Sequence, residues 1–176
     1  ARSILAANRQ QDVKMNVPQQ VYILSRAQIE RANAQTAADL LTTDGLLTVQ
    51  KSQQGGGSPM IRGFESSRVL LVMDNVKMNN LIYRAGHLQN IITVDPSILE
   101  RVEVLYGPSS VSYGSDALGG VVAFRSKNPV LGDGGKTWFS GNAFMRYGSA
   151  NQETTGHVDF NIGGERFASL TSLSYS

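Results

Sequence analysis

Short apolar runs, separated by polar and glycine-rich stretches, occupy the chain up to about residue 128. These runs predict β-strands over residues 17–24, 46–50, 60–64, 68–73, 101–105 and 121–126. Asp74-Asn75 follows the fourth run, and this pair tolerates the positive φ angles of a tight hairpin turn. Residues 53–59 contain three consecutive glycines followed by Ser58-Pro59, and are therefore predicted to form a flexible loop.

Two short helices are predicted between the first two strands. Ser25 stands three residues before Gln28, a spacing typical of the first turn of a capped helix. A second helix is predicted over Thr36 to Leu41, capped by Thr36 or Gln35, and Gly45 fits its C-terminal stop. The first part of the chain is therefore expected to combine short strands with short helices.

Beyond Asn128-Pro129, apolar and polar residues alternate over long segments. One face of the first segment carries Phe139, Gly141, Ala143, Met145 and Tyr147, and the opposite face carries Ser140, Asn142 and Arg146. Residues 156–162 alternate in the same way, with His157 on the polar face as a solvated or lumen-facing residue, and residues 167–175 predict a third strand. Such strands of about ten residues are typical of transmembrane β-barrels. An antiparallel meander with one face on a core has the same pattern.

The composition narrows the class of protein. The chain has 176 residues, 41% of them hydrophobic and 17% charged, which is too apolar for a disordered protein. It has no cysteine, so disulfides, thiolate metal sites and cysteine nucleophiles are excluded. The formal net charge of +2 is too small to indicate a nucleic-acid partner. No signal peptide is present, so the sequence is expected to be mature or trimmed.

Enzymatic motifs are not found in the sequence. The glycine-rich stretch over residues 107–120 lacks the lysine and hydroxyl residue of a P-loop, and there is no Gly-x-Ser-x-Gly elbow. The two histidines, His87 and His157, are far apart in sequence, which indicates neither a nucleophilic triad nor a protein-only zinc site. We therefore expect a protein without catalytic activity.

The most specific segment extends from Ile98 to Val122 and contains Tyr106-Gly107-Pro108 and Leu118-Gly119-Gly120. It resembles the hallmark segment of the plug domain of TonB-dependent outer-membrane receptors. Further motifs stand in the order of that family. They are Val17-Pro18, Asp39-Leu40-Leu41, Ile61-Arg62-Gly63-Phe64, Arg68-Val69-Leu70 and Lys127-Asn128-Pro129. The resemblance covers about residues 4–130.

The resemblance implies an α+β plug domain, a small mixed β-sheet with short helices and long loops, followed by the first antiparallel strands of a transmembrane β-barrel. The expected divisions are an N-terminal segment near the TonB box over residues 1–12, a plug over 13–130 and about three barrel strands over 131–176. Family barrels have about 22 strands. Because three strands cannot close a barrel, we expect a fragment or one piece of a split receptor.

The family's function implies gated import of a scarce ligand across the outer membrane of a Gram-negative bacterium. The expected partners are TonB with its inner-membrane energising complex, outer-membrane lipid, the remaining barrel strands, and a small-molecule ligand such as haem or a siderophore. No cofactor is required, although haem is a candidate for the transported ligand, and no nucleic acid is involved. Ligand binding is expected to shift the population of plug conformations and expose the N-terminal segment to TonB.

Arg62 resembles the family arginine that pairs with barrel glutamates and so latches the plug. A guanidinium suits this role because its rigid fork binds carboxylates bidentately. The alternative is a salt bridge within the plug. Tyr106 departs from the family pattern, since many relatives carry a second arginine just before Gly-Pro, and this departure argues against a latch with two arginines.

His87 lies in a stretch that resembles the Gly-His-Leu-x-Asn segment of haem-uptake receptors, whose plug histidine ligates haem iron. Imidazole is a suitable axial ligand, and Tyr83, Gln89 and Asn90 are further expected ligand contacts within the apical loops around residues 79–92. The alternative is a histidine hydrogen-bonded within such a loop.

The N-terminal residues Ile4, Leu5 and Ala6 resemble the end of the family's TonB box, a peptide that would add to TonB as a β-strand. A frayed terminus is the alternative. At the level of the whole protein, two other functions stay open. One is a receptor of the same family for a non-iron nutrient such as a carbohydrate, peptide or cobalamin, and the other is a free-standing plug-like binding protein.

Overall fold

The structure, a computed structural model, describes residues 3–4, 12–13, 20–43, 45, 47–53, 56–64, 68–78, 91, 94–108, 113–132, 136–149 and 152–175. The chain divides into two compact units, Ala1–Ser126 and Lys127–Ser176. Within the described residues, no helix is both long enough and apolar enough to cross a membrane.

The first unit contains nine strands and two α-helices within the described residues. In chain order these are β1 (Ser3–Ile4), β2 (Asp12–Val13), β3 (Gln20–Ser25), α1 (Arg26–Ala32), α2 (Ala37–Thr43), β4 (Thr48–Gln53), β5 (Gly56–Met60), β6 (Val69–Met73), β7 (Val76–Lys77), β8 (Leu99–Tyr106) and β9 (Gly120–Ser126). The main sheet has the order β3-β8-β9-β6-β7. It is mixed, because β6 pairs with β9 in parallel and every other pair is antiparallel. The mixed sheet with two helices agrees with the expected plug fold.

Local capping interactions explain where the two helices begin. The Oε1 atom of Gln28 accepts from the Ser25 backbone N–H at 3.0 Å, which fixes the start of α1 as predicted. The backbone N–H of Asp39 donates to Thr36 Oγ1 at 3.1 Å, which confirms Thr36 at the start of α2. Gly45 follows α2 with a φ of 65°, a conformation that favours glycine at the end of a helix.

The main sheet is covered by apolar side chains on both faces. One face packs Val102, Val104, Val122 and Phe124 against the helices, whose Leu40 and Leu41 are fully buried. The other face carries Val21, Leu70, Leu105 and Val121, packed with Tyr113 and Ala117 from the glycine-rich segment before β9. Each such aliphatic side chain contributes about 1.5–3 kcal/mol when fully buried, so this two-sided core is the main source of the unit's stability.

Two predictions for residues 53–64 are wrong. Gly56–Met60 forms strand β5, antiparallel to β4, where a flexible loop was predicted. Arg62 and Gly63 form a two-residue turn that joins Ile61 to Phe64, where a continuous strand was predicted. The φ angles of Arg62 and Gly63 are 48° and 83°, so the chain reverses instead of extending.

The turn at Asp74-Asn75 agrees with the prediction. Both residues have positive φ, 47° and 71°, and they connect β6 to β7. Asp74 also accepts from Ser126, through Oδ1 from the backbone N–H at 3.0 Å and through Oδ2 from the hydroxyl at 2.6 Å. The turn thereby holds the last residue of β9.

The second unit is a three-stranded antiparallel sheet. Its strands are β10 (Trp138–Gly148), β11 (Glu153–Gly163) and β12 (Ala168–Tyr175), in the order β10-β11-β12. The predicted alternation is observed on β11, where Val158, Phe160 and Ile162 are exposed and His157 is buried. The sheet is open within the described residues, so closure into a barrel is not part of the observed fold.

Close backbone approach explains the glycine pair before β9. A Cβ atom on Gly119 would lie 2.5 Å from Phe64 Cβ, and one on Gly120 would lie 2.5 Å from the Leu105 carbonyl oxygen. Gly120 also has a φ of 151°, which L-residues rarely adopt. These two glycines therefore allow β9 to lie close to β8 and to the turn that ends at Phe64.

We predict that Gly120→Ala lowers the stability of the protein by about 2 kcal/mol or more, because the new methyl group overlaps the backbone of β8 and the φ angle becomes strained. The measurement is the shift of the unfolding midpoint of the purified protein in denaturant. Gly156→Ala is the control, since no atom lies within 4 Å of a Cβ at that position. Equal midpoints for the two variants would contradict the prediction.

Candidate functional site

Most of the expected ligand and TonB contacts fall outside the described part of the chain. Tyr83, His87, Gln89 and Asn90 all lie outside the described residues, as do Leu5 and Ala6. Ile4 is described as part of β1, where it pairs with Asp12. Among the described residues, Arg62 in the first unit and the polar face of the sheet in the second unit are two separate candidate sites.

Arg62 occupies an exposed turn stabilised by two backbone hydrogen bonds. The Ile61 N–H donates to the Phe64 carbonyl at 2.9 Å, and the Phe64 N–H donates to the Ile61 carbonyl at 2.8 Å. Because Ile61 is buried beneath the turn, the backbone of the turn is fixed to the core. Arg62 is thus presented at the surface from a rigid base.

Two neighbours orient the Arg62 side chain. Its Nη2 donates to Gln20 Oε1 at 2.6 Å, and its guanidinium carbon lies 5.4 Å from the centre of the Tyr106 ring. This distance suits a cation–π interaction. Within the described part of the chain Arg62 forms no ion pair. The choice between a latch to the barrel and a salt bridge inside the plug stays a prediction.

Tyr106 ends β8 and provides an aromatic surface for Arg62. Partial burial raises the pKa of the Tyr106 phenol, and the Arg62 guanidinium acts in the opposite direction. The sequence marked Tyr106 only as a departure from a pattern with two arginines. In the structure the Tyr106 ring contacts Arg62. This interaction could not be predicted from local sequence patterns, because the two residues lie on different elements.

A buried charge lies on the sheet face opposite the helices. Glu103 is fully buried on β8, and its Oε1 lies 3.0 Å from Nε of Arg101, two residues earlier on the same strand. A buried carboxylate is tolerated only when it is paired and hydrogen-bonded. This pair was not singled out in the sequence, and its place inside the sheet indicates a structural role.

The polar face of the second unit holds a hydrogen-bonded cluster around Asp159. Lys127 Nζ and Asn142 Nδ2 both donate to the Asp159 carboxylate, the second at 3.0 Å. Nε2 of His157 lies 3.2 Å from the same carboxylate, and Nδ1 of His157 lies 2.7 Å from Ser174 Oγ. His157 is only 2% exposed, so the solvated alternative is wrong, and the lumen-facing alternative stays a prediction. Its partners explain how a polar ring is accommodated there.

Asn161 continues this cluster along β11. Its Oδ1 accepts from the Val130 N–H at 2.9 Å, and its Nδ2 donates to the Val130 carbonyl at 3.0 Å. The described residues contain no group of three or more His, Asp or Glu side chains arranged to hold a metal ion. The polar face is therefore organised by hydrogen bonds and by the Lys127–Asp159 ion pair.

Comparison with known families decides the assignment. Residues 13–121, which include the main sheet up to the start of β9, match the model of the TonB-dependent Receptor Plug Domain. The chain belongs to this family. Members of the plug family are transport proteins of the outer membrane of Gram-negative bacteria, so the chain is an outer-membrane component and not an enzyme.

Two sequence relatives illustrate the range of the plug family. The vitamin B12 transporter BtuB of Vibrio vulnificus strain YJ016 is 33% identical over 127 residues, which cover 70% of this chain and 20% of the relative. The hemin receptor of Yersinia pestis is 29% identical over 173 residues, which cover 97% of this chain and 24% of the relative. The chain therefore spans about a fifth to a quarter of these relatives.

Solved structures share the fold of both units. The alcaligin outer-membrane receptor FauA of Bordetella pertussis matches with a TM-score of 0.70 and 19% identity, over 98% of this chain and 29% of FauA. The siderophore receptor PirA of Pseudomonas aeruginosa matches with a TM-score of 0.58 and 22% identity, over 88% of this chain and 28% of PirA. At these identities the likeness supports the fold and carries no information about the ligand.

We predict an energetic coupling between Arg62 and Tyr106. In a double-mutant cycle with Arg62→Met and Tyr106→Leu, the coupling energy is expected to be about 0.5–1 kcal/mol, the range of an exposed cation–π pair. The measurement is the free energy of unfolding of the two single variants, the double variant and the wild type.

Tyr106→Phe is the matched control for this cycle, because it keeps the aromatic ring and removes only the hydroxyl. It is expected to retain most of the coupling. A coupling energy of zero between Arg62 and Tyr106 would mean that the ring does not stabilise the guanidinium.

Proposed function

We propose that the chain forms the plug and the first wall strands of a receptor that imports a scarce ligand across the outer membrane with energy from TonB. The observation that carries this proposal is the plug-family match over residues 13–121, followed in the same chain by a sheet with one apolar and one polar face. A free-standing binding protein has no need for such a sheet.

The apolar face of the second unit supports contact with lipid. Phe139, Met145, Val158 and Leu173 project from the three strands and are each at least half exposed, from 51% to 78%. Exposed apolar area spread across a whole sheet face is rare in a soluble monomer. The polar residues of β11 lie on the opposite face, as expected for a wall with lipid on one side and a polar interior on the other.

The two edges of this sheet support a continuation of the wall. β10 and β12 each pair only with β11 among the described residues, so each has one free edge. Free backbone groups are costly in a membrane, because lipid offers no hydrogen bonds. The remaining strands of the receptor would pair with these edges.

Arg62 is proposed as the plug's latch to the wall. Its guanidinium is exposed, is oriented by Tyr106 and has no carboxylate partner among the described residues. A glutamate on the inner side of the wall would complete a bidentate ion pair. With tyrosine at position 106, this latch uses a single arginine.

The ligand is proposed to be haem or a ferric chelate, bound through His87 with Tyr83, Gln89 and Asn90. Support comes from the segment around His87 and from the hemin receptor, whose similarity extends over 97% of this chain. Cobalamin is the second candidate, favoured by the 33% identity to a vitamin B12 transporter. The two candidates differ in chemistry, because haem iron accepts an axial imidazole from the protein.

Coupling to TonB is proposed to use the N-terminal segment at Ile4, Leu5 and Ala6. Ile4 already has extended backbone that pairs with Asp12, a conformation suitable for strand addition to another sheet. Ligand binding would shift the population of plug conformations so that this segment is released from its own pairing and becomes accessible.

We predict that the complete receptor binds hemin with a Soret band typical of axial ligation and that His87→Ala shifts this band and weakens binding at least tenfold. His87→Met is the control, since methionine also ligates haem iron and should retain an altered axial spectrum. Uptake of hemin and of cobalamin by cells with and without TonB is measured in parallel. Identical spectra for the wild type and His87→Ala would refute the ligand role, and TonB-dependent uptake of cobalamin alone would favour the second candidate.

A further inference from the structure

The segment that joins the plug sheet to the wall sheet is held by side chains of β11. This connector, residues 127–132, begins directly after β9 ends at Ser126. Lys127 pairs with Asp159, Val130 with Asn161, and the Gly132 N–H donates to the Gly164 carbonyl at 3.0 Å. The connector therefore follows β11 in the same direction over its polar face.

Asn161 acts as a substitute for a strand partner. Its side-chain amide offers one acceptor and one donor, and these satisfy both the N–H and the carbonyl of Val130 at 2.9 and 3.0 Å. A peptide group in a neighbouring strand would satisfy the same two groups. Asn161 is 4% exposed, so both bonds are shielded from competition with water.

The Lys127–Asp159 pair adds a charge-assisted contact at the start of the connector. The two side chains are 14% and 4% exposed. The Asp159 carboxylate is also held by Asn142 and His157, which fix its position on the sheet. Removing Lys127 from this position would leave the charge of the buried Asp159 carboxylate without its cationic partner. Breaking the ion pair therefore costs free energy, which holds the start of the connector in place.

Gly163 brings the connector still closer to β11. A Cβ atom at this position would lie 2.1 Å from the Val130 carbonyl oxygen and 2.9 Å from the Gly132 backbone nitrogen. Real Cβ atoms do not approach so closely, so the connector can occupy this path only because residue 163 has no side chain. The hydrogen bonds to Val130 and the missing side chain at Gly163 are independent observations. Both indicate that the connector packs specifically against β11.

We propose that these contacts form a connector clamp, consisting of Lys127–Asp159, Val130–Asn161 and the approach at Gly163, that anchors the chain to the wall sheet when the plug is pulled. The contacts are spread along the direction of the connector, so a force along the chain loads them together and not one after another. β10 is then protected from that force. The anchoring role rests on the proposed function, whereas the clamp itself does not.

The clamp is tested by amide hydrogen exchange in the complete receptor in detergent. Asn161→Leu removes both hydrogen bonds with little change of volume, and exchange of the Val130 amide is expected to accelerate at least tenfold. Asn161→Asp keeps the acceptor for the Val130 N–H and loses the donor, so a smaller acceleration is expected. Gly163→Ala should give an effect comparable to that of Asn161→Leu, by steric displacement.

Ser140→Ala is the matched control, because Ser140 lies opposite Asn161 on the same sheet face and bonds to no part of the connector. Unchanged exchange is expected for this variant. If Val130 exchanges at the wild-type rate in both Asn161→Leu and Gly163→Ala, and both remain folded by circular dichroism, the clamp is overturned. Strong acceleration in Ser140→Ala would also overturn it, since the effect would then not depend on these contacts.

The anchoring role is tested by single-molecule force measurements on the same receptor in a bilayer, pulled through a chemical tether at its N-terminus. In the wild type, release of the connector is expected as a separate rupture that frees the chain between Lys127 and β10, whose full contour length is about 35 Å. Asn161→Leu should lose this rupture. A wild type without it would overturn the anchoring role. Because the tether replaces TonB, this result is distinguishable from failure of TonB-dependent uptake, which would overturn only the proposed function.

Discussion

The pairing of β9 on both of its edges is the constraint on which the plug unit depends. β9 lies between β8 and β6, is antiparallel to the first and parallel to the second, and contributes buried side chains to both cores. It can enter the sheet only because Gly119 and Gly120 let the backbone pass against Ile61, Phe64 and Leu105. The same strand ends at Ser126, which the turn at Asp74 holds, and leads directly into the connector. β9 therefore contacts the core and the base of the turn that carries Arg62, and it ends where the chain leaves the plug unit.

Arg62 and the connector clamp use different physical means to hold a polypeptide in place. Arg62 is an exposed charge, oriented by an aromatic ring and an amide, and such a contact is easily broken and reformed. The clamp consists of shielded hydrogen bonds and a buried ion pair, whose loss leaves polar groups without partners. The contact of Arg62 is therefore expected to be reversible, and the contacts of the clamp are expected to be more persistent.

The sequence predicted what depends on local periodicity and on caps. The alternation along β11 gave the correct exposed and buried faces, because side chains of a strand alternate regardless of what covers them. Local contacts also explain why the prediction was correct at Ser25, at Thr36 and at the Asp74-Asn75 turn. The interaction partners there lie within a few residues in the sequence. The strand at Gly56–Met60 was missed because its stability comes from backbone pairing with β4, and glycine has little intrinsic preference for a strand. The Asn161–Val130 and Arg62–Tyr106 contacts were missed because each joins residues far apart in sequence.

The register of the main sheet has a consequence for how the protein is made. β3 pairs Gln20 with Tyr106, and β6 pairs Val69 with Gly120. Within this sheet, only the β6–β7 hairpin can therefore form before β8 and β9 are available. Such non-local pairing folds slowly, because the entropy of closing long loops must be spent before any contact forms. Apart from the β6–β7 hairpin, the strands of the sheet therefore stay unpaired until the chain has been made as far as β8 and β9.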